Sequence, residues 1–174
     1  MFTDHGRPFY KSALTMLLDK PPAEESVAFV VSRFKSAGID ITQDAARLII
    51  DKIANIPYYI QQLGFETFRF VDEAGRQVAT TDDVEAAYFR LSGFNRDQYE
   101  QAMLSFSASQ KKVLLALARE ETDEFDAEYR ARHSLGISST VNSAKKKLLE
   151  DGHVEQLNGI CRIADPFFAE YLRR

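Results

Sequence analysis

The strongest constraint on the fold is a change of hydrophobic period after Gly152. Up to that glycine the apolar residues recur at helical spacing, whereas the runs 154–157 and 160–163 have the period of short strands. Asn158 and Gly159 separate the two runs, and Asn-Gly favours a two-residue hairpin because a type I′ turn needs positive φ at both positions. The sequence therefore predicts a β-hairpin. Its predicted cross-strand pairs are Val154 with Ile163, Glu155 with Arg162, Gln156 with Cys161, and Leu157 with Ile160.

Three predicted helices precede this hairpin. They cover residues 107–119, 125–133 and about 139–151, and a turn that contains Gly136 comes before the third. The third helix has an apolar stripe, formed by Ile137, Val141, Ala144 and Leu148. Three helices followed by a hairpin are typical of a winged helix-turn-helix. A short terminal helix that starts at Asp165 is expected to dock back on this unit.

The front of the chain shows helical patterns and no clear strand. We expect five helices there, over residues 23–37, 43–54, 58–71, 80–91 and 95–106. Thr42 is a predicted N-cap, and Pro57 suits a helix start because proline fits the first turn. The predicted fold class is mainly α. A helical subdomain over residues 1–104 is followed, over residues 105–174, by a winged helix-turn-helix with a β-hairpin wing and a terminal helix.

The composition excludes several classes of protein. The chain has 174 residues, a net charge of −4, one cysteine and three scattered histidines, so neither a disulfide framework nor a structural zinc site is expected. No apolar run approaches the roughly 20 residues that span a bilayer, and the N-terminus lacks signal-peptide features. These observations predict a cytoplasmic protein with no membrane partner. The sequence has no GxxxxGK[ST], HExxH or paired CxxC motif, and we expect no catalytic residue in it.

The side of the third helix opposite its apolar stripe is the candidate DNA-binding surface. The residues assigned to it are Ser139, Asn142, Ser143, Lys145, Lys146 and Lys147. Hydroxyl and amide groups can reach base edges, and lysines can meet phosphates. Glu150 and Asp151, however, end the helix with negative charge, and the wing tip has no basic residue. The alternative is a packing or protein-interaction module, on which the lysines keep a surface helix solvated.

Five short motifs carry a family resemblance over nearly the whole chain. They are residues 7–10 (RPFY), 56–61 (IPYYIQ), 109–114 (SQKKVL), 136–141 (GISSTV) and 163–168 (IADPFF). In this order and spacing they resemble the C-terminal portion of prokaryotic P-loop ATPases of the AAA+/STAND type. Such proteins have a nucleotide-binding core, a helical lid and a C-terminal winged helix.

The resemblance implies that residues 1–104 are a lid and that the nucleotide-binding core is a missing partner. The phosphate-binding segments of the family lie upstream of the RPFY-like run, where this chain begins, so we expect no ATP hydrolysis by this polypeptide and no cofactor bound to it. ATP and Mg²⁺ would bind in the complete protein. In relatives a Gly-x-Pro at a lid helix contacts the nucleotide, and Asn55-Ile56-Pro57 is similar, with Asn for Gly. The resemblance thus marks Pro57, and also Arg7 near the missing core, as cofactor-binding candidates.

The function implied is coupling of nucleotide state to DNA or protein binding through the winged helix. Two alternatives stay open. One is a stand-alone winged-helix transcription regulator, with residues 1–104 as a dimerisation domain. The other is an interaction scaffold whose winged helix does not bind DNA. Arg69 is the one basic residue among the aromatic residues crowded between 58 and 70, so core packing or a subdomain interface is expected for them rather than base stacking.

Overall fold

The computed structural model describes residues 20–174, which form nine helices and two small two-stranded sheets. The helices of this part are α1 (Ala23–Ser36), α2 (Gln43–Lys52), α3 (Pro57–Glu73), α4 (Thr81–Phe94), α5 (Arg96–Ser105), α6 (Ala108–Arg119), α7 (Ala127–Arg132), α8 (Ser138–Glu150) and α9 (Pro166–Arg173). The strands are β1 (Asp40–Ile41), β2 (Val78–Ala79), β3 (Val154–Leu157) and β4 (Ile160–Ile163). This mainly helical architecture with a C-terminal hairpin confirms the predicted fold class.

Helices α1–α4 and the first two strands make up the helical subdomain, residues 23–94. Each helix begins where the sequence supplies a start signal. The Thr42 hydroxyl accepts a hydrogen bond from the Ala45 amide at 3.2 Å, as the predicted N-cap of α2. Pro57 is the first residue of α3. Fully buried apolar side chains on the inner faces of α2, α3 and α4 hold the subdomain together; they include Ile49, Ile50, Ile53, Leu63 and Val84.

The expectation that the front of the chain has no strand is wrong. β1 and β2 pair in parallel, with Asp40 opposite Val78 and Ile41 opposite Ala79. Each strand has two residues, which is too short for an alternating pattern to show in the sequence. The pairing brings two helix starts together, because Thr42 follows β1 and Thr80 follows β2.

Helices α6–α8 and the β3–β4 hairpin form the winged-helix core, residues 108–163. All four predicted cross-strand pairs are present in the predicted register. Asn158 and Gly159 have φ angles of 52° and 88°, as a type I′ turn requires. A third strand-like contact was not predicted: Thr122, between α6 and α7, exchanges two backbone hydrogen bonds with Cys161 of β4.

One detail of the α7–α8 region differs from the prediction. The turn contains Gly136 as predicted, and its left-handed residue is Ser134, with φ of 51°. Ile137 is 72% exposed, although the apolar stripe included it, while Val141, Ala144 and Leu148 are buried as predicted. Ile137 is the N-cap of α8 and has extended backbone angles, so its side chain does not follow the helical spacing.

Helix α9 lies between the helical subdomain and the winged-helix core. It packs on α4 and α5 on one side and on α6 and β4 on the other. The Asp165 carboxylate caps it by accepting hydrogen bonds from the Phe167 and Phe168 amides. The predicted docking of α9 on the winged helix is therefore present, and α9 also contacts the helical subdomain through α4.

Candidate functional site

Helix α8 presents one polar face to solvent because its opposite face is fixed to the winged-helix core. Val141, Ala144 and Leu148 are buried and anchor it against α6 and β3. Three small polar residues predicted to contact DNA, namely Ser139, Asn142 and Ser143, are exposed together with Lys146. The structure thus brings these four side chains onto one surface, as their spacing of three and four residues requires. We call this surface the α8 face.

The three lysines of α8 differ in how free their charges are. Lys145 is half-buried, and its ammonium lies 5.5 Å from the centre of the Phe125 ring. Lys147 donates to Asp151 at 2.8 Å, and this hydrogen bond raises the pKa of Lys147. Lys146 is exposed and has a long 3.9 Å pair with Glu150. Much of the positive charge on α8 is therefore already balanced within the domain.

A hydroxyl-rich hollow of about 430 Å³ adjoins the α8 face. Ser107, Ser109 and Gln110 from the start of α6 line one side of it, and Ser143 and Lys147 line the other. Ser107 is also the N-cap of α6, where its hydroxyl accepts a hydrogen bond from the Gln110 amide. No sequence pattern predicted a site role for these α6 residues, because they lie about thirty positions before α8 and only the folded chain brings the two helices together.

The wing is apolar at its tip. Leu157 and Ile160 are 39% and 43% exposed, and the residues between them are uncharged. Behind the tip Arg162 donates to Glu155 at 2.6 Å, which confirms the predicted cross-strand pair. The wing therefore offers apolar contact rather than a cation to any partner that approaches its tip.

The α2–α3 corner carries the residue marked as a nucleotide contact. Ala54 and Asn55 have φ angles of 52° and 56°, and Pro57 is exposed at the first position of α3. Asparagine tolerates this left-handed conformation better than most residues, so Asn55 fills a position suited to glycine. Its side-chain amide donates to the Pro21 carbonyl at 2.6 Å and ties the corner to the start of α1. Arg7, the other candidate, lies outside the described residues.

An apolar groove of about 550 Å³ runs between α1 and α3. Phe34 and Phe68 meet edge to face at its base, with ring centres 6.0 Å apart. Phe29 and Phe65 line the groove and are 48% and 63% exposed. Tyr58, at the start of α3, is 68% exposed. Core packing or a subdomain interface was expected for the aromatic cluster; Tyr58 and Phe65 are not in the core, since they lie on the outer side of α3.

Metal ligands do not gather in the part of the chain that the structure describes. Within residues 20–174, no three His, Cys, Asp or Glu side chains are arranged so that they could hold a metal ion. Over the same range, every helix is too short or too polar to cross a membrane. Cys161 is buried in β4.

Comparison with protein families identifies the C-terminal region. Residues 97–174 match the family described as a probable winged helix domain, so this part of the chain is a winged helix domain. The match begins within α5. No curated protein shows a significant match to the sequence.

Comparison with solved structures relates the whole described chain to ATPases. A Walker-type ATPase of Pyrococcus abyssi superimposes with a TM-score of 0.70 at 18% sequence identity, covering 99% of this chain and 48% of that chain. The resemblance to the C-terminal portion of such an ATPase is thus confirmed at the level of fold, and the chain spans about half the length of that protein. Two substituted forms of RuvB from Thermotoga maritima match less closely, each with a TM-score of 0.44 at 14% identity, covering 84% of this chain and 47% of theirs.

Proposed function

We propose that this chain is the helical lid and winged-helix region of a P-loop ATPase, and that it couples the nucleotide state of a separate nucleotide-binding core to a partner held by the winged helix. The fold shared with about half of a Walker-type ATPase supports this assignment. ATP and Mg²⁺ would bind to the core, and this chain would contribute contacts from Pro57 at the α2–α3 corner and from Arg7.

The observation that carries the coupling role is the position of α9. Tyr88 of α4 donates a hydrogen bond to the Pro166 carbonyl at 2.8 Å, and Tyr99 of α5 donates one to the Asp165 carboxylate at 3.0 Å, at the start of α9. Burial raises the pKa of Tyr88 to about 12 and raises that of Tyr99 above its usual range. Both hydroxyls therefore keep the protons that they donate at physiological pH. A helix held in this way transmits a displacement of the lid to the winged helix.

The DNA immediately upstream of the Met1 codon tests the assignment. The proposal expects a coding sequence there, in the same frame or in an adjacent gene, that contains GxxxxGK[ST]. The corresponding core, produced together with this chain, should hydrolyse ATP, and Pro57→Ala should weaken its nucleotide binding. An upstream region with no such motif in either place contradicts the proposal.

A second candidate function, DNA binding by a stand-alone regulator, is favoured by the α8 face. Ser139, Asn142 and Ser143 are free to contact base edges, and Lys146 is the most exposed of the three lysines. To bind phosphates, Lys145 would have to leave the Phe125 ring, and Lys147 would have to give up its hydrogen bond to Asp151. We therefore expect weak binding that depends strongly on salt.

Fluorescence anisotropy with a labelled DNA duplex at low salt tests this candidate. The triple substitution of Lys145, Lys146 and Lys147 by Gln should abolish binding. Lys35→Gln, at an exposed position of α1, is the control and should leave binding unchanged. If the parent chain does not bind the duplex at low salt, the DNA-binding function is wrong, while the ATPase assignment is unaffected.

A further inference from the structure

The orientation of the winged-helix core relative to the helical subdomain depends on α9. Among residues 20–174, no element of the helical subdomain packs extensively on an element of the winged-helix core, whereas α9 packs on both. Arg173, its last residue, and the following C-cap Arg174 reach opposite sides. The Arg173 guanidinium donates to the Ala118 carbonyl of α6 at 2.6 Å, and the Arg174 guanidinium lies 3.9 Å from the centre of the Phe89 ring of α4. Helix α9 thus joins two bodies that otherwise touch little.

Phe167 is the apolar anchor of this joint. It is 1% exposed, and its ring lies between two tyrosines of the helical subdomain. The centre of the Phe167 ring is 5.6 Å from that of Tyr59, which it meets edge to face, and 5.3 Å from that of Tyr88. Aromatic pairs at these distances have preferred geometries, so the socket fixes the angle of the ring as well as burying it.

The socket is part of the α2–α3 corner. Tyr59 lies in the first turn of α3, two residues after Pro57. Burial raises the pKa of Tyr59 to about 12, so its ring stays neutral in the socket. A movement of the start of α3 therefore displaces one wall of the Phe167 socket directly, because close-packed side chains cannot absorb it.

The structure leaves room for this movement. A cleft of about 200 Å³ separates the α2–α3 corner from the wing. Ala54 and Ile56 line it on one side, and Glu155 and Arg162 line it on the other. The cleft gives the wing space to reorient together with α9 when the socket shifts.

We propose that Phe167 is a positioning residue that sets the orientation of the winged-helix core relative to the helical subdomain, and that the α2–α3 corner acts on this orientation through Tyr59. The proposal rests on the proposed function in one respect: the corner that drives the movement is the one assigned to nucleotide contact. A shift of Tyr59 moves Phe167, and α9 carries α6 and β4 with it.

Distance measurement between two spin labels tests this proposal in the 174-residue chain. Ala28→Cys on α1 and Ala127→Cys on α7 place the labels at exposed positions on the two bodies, and the native Cys161 is buried and should not be labelled. The parent chain should give a narrow distance distribution. Phe167→Ala should broaden and shift it, and Tyr59→Leu should do the same.

Phe34→Ala is the matched control, since it removes an equally large buried ring within the helical subdomain alone. It should lower the melting temperature without broadening the distribution. If circular dichroism shows that Phe167→Ala does not fold, the distance distribution is measured on the milder Phe167→Leu variant instead. A distribution as narrow as that of the parent in the folded Phe167 variant overturns the proposal.

The two proposals fail separately, because the distance measurement uses neither nucleotide, core nor DNA. An unchanged distribution removes the role of Phe167 and leaves the ATPase assignment intact. A broadened distribution, together with an upstream region that has no phosphate-binding motif, removes the ATPase assignment and keeps Phe167 as the residue that orients the two bodies.

Discussion

The helical subdomain and the winged-helix core expose different chemistry. Phe29 and Phe65 line a groove between α1 and α3 that has an aromatic base, and Tyr58 is exposed at the start of α3. The α8 face of the winged-helix core instead carries hydroxyl, amide and lysine side chains. Exposed aromatic residues are typical of protein–protein contacts, whereas small polar residues with lysines suit a polar or charged partner. The two surfaces therefore differ in the chemistry that they offer to solvent, and α9 lies between the two regions.

The largest expected effect concerns whether these regions unfold as one. Ile49→Ala in α2 and Leu117→Ala in α6 each remove a buried side chain from one region. Each should lower the free energy of unfolding by about 3 kcal/mol, through lost burial and a residual cavity. Because α9 joins the regions, calorimetry should show one transition that both substitutions shift.

Two separate unfolding transitions would contradict this prediction. If Ile49→Ala shifts one transition and Leu117→Ala shifts another, the two regions unfold independently and α9 does not link their stability. The two regions would then differ in the stability of their cores as well as in the chemistry of their surfaces.

The next effect is specific to the helical subdomain and depends on pH. Asp83 is buried at the start of α4, where its carboxylate accepts hydrogen bonds from the Thr80 amide and from Arg76. Burial works to raise its pKa, but the Arg76 and Thr80 hydrogen bonds outweigh this and lower it. Asp83→Asn should therefore cost about 2 kcal/mol near neutral pH.

The pH dependence follows from the sign of that shift. Because the folded pKa lies below the unfolded value of about 3.9, the contribution of the carboxylate is complete above that value and is lost as the pH falls through the folded pKa. The stability difference between the parent and Asp83→Asn should shrink over that acid range in thermal melts. The exposed Asp82→Asn is the control, and an equal effect of both substitutions would contradict the assignment.

The same two regions differ in how far their sequences predict their folds. The β3–β4 hairpin is local: Asn158 and Gly159 set the turn, and alternation on either side sets the register. The β1–β2 pairing joins residues almost forty positions apart, and neither two-residue strand has a pattern of its own. Local turn chemistry can be read from a sequence, but a short pairing decided by tertiary packing cannot.

The candidate site shows the same limit. Helical spacing predicted that Ser139, Asn142, Ser143 and Lys146 share a face, because one helix fixes their relative positions. It did not predict that Lys145 lies over the Phe125 ring, since that contact depends on how α7 packs beside α8. Neighbours within an element are therefore predictable, whereas the partners of its charged side chains are not.

A smaller effect tests the local character of the wing. Gly159 has φ of 88° and open space around it, so Gly159→Ala introduces backbone strain without a steric clash. We expect a loss of about 1 kcal/mol. Gly136→Ala is the control: the added methyl group would lie 4.0 Å from the Thr140 side chain, an ordinary contact, and no positive φ is involved. Urea denaturation that shows equal losses for the two substitutions would contradict the role of the turn.

The smallest effect on stability returns to the two exposed surfaces. Tyr58→Ser with Phe65→Ser, and separately Ser139→Ala with Asn142→Ala, should each change the free energy of unfolding by less than about 0.5 kcal/mol, because the substituted side chains are exposed. The first pair should nevertheless reduce binding of an apolar fluorescent dye, since Phe65 lines the α1–α3 groove, and the second pair should not. Equal dye binding by both double variants would show that the groove does not act as an apolar surface. The chemical contrast between the helical subdomain and the α8 face would then have no consequence for what each region binds.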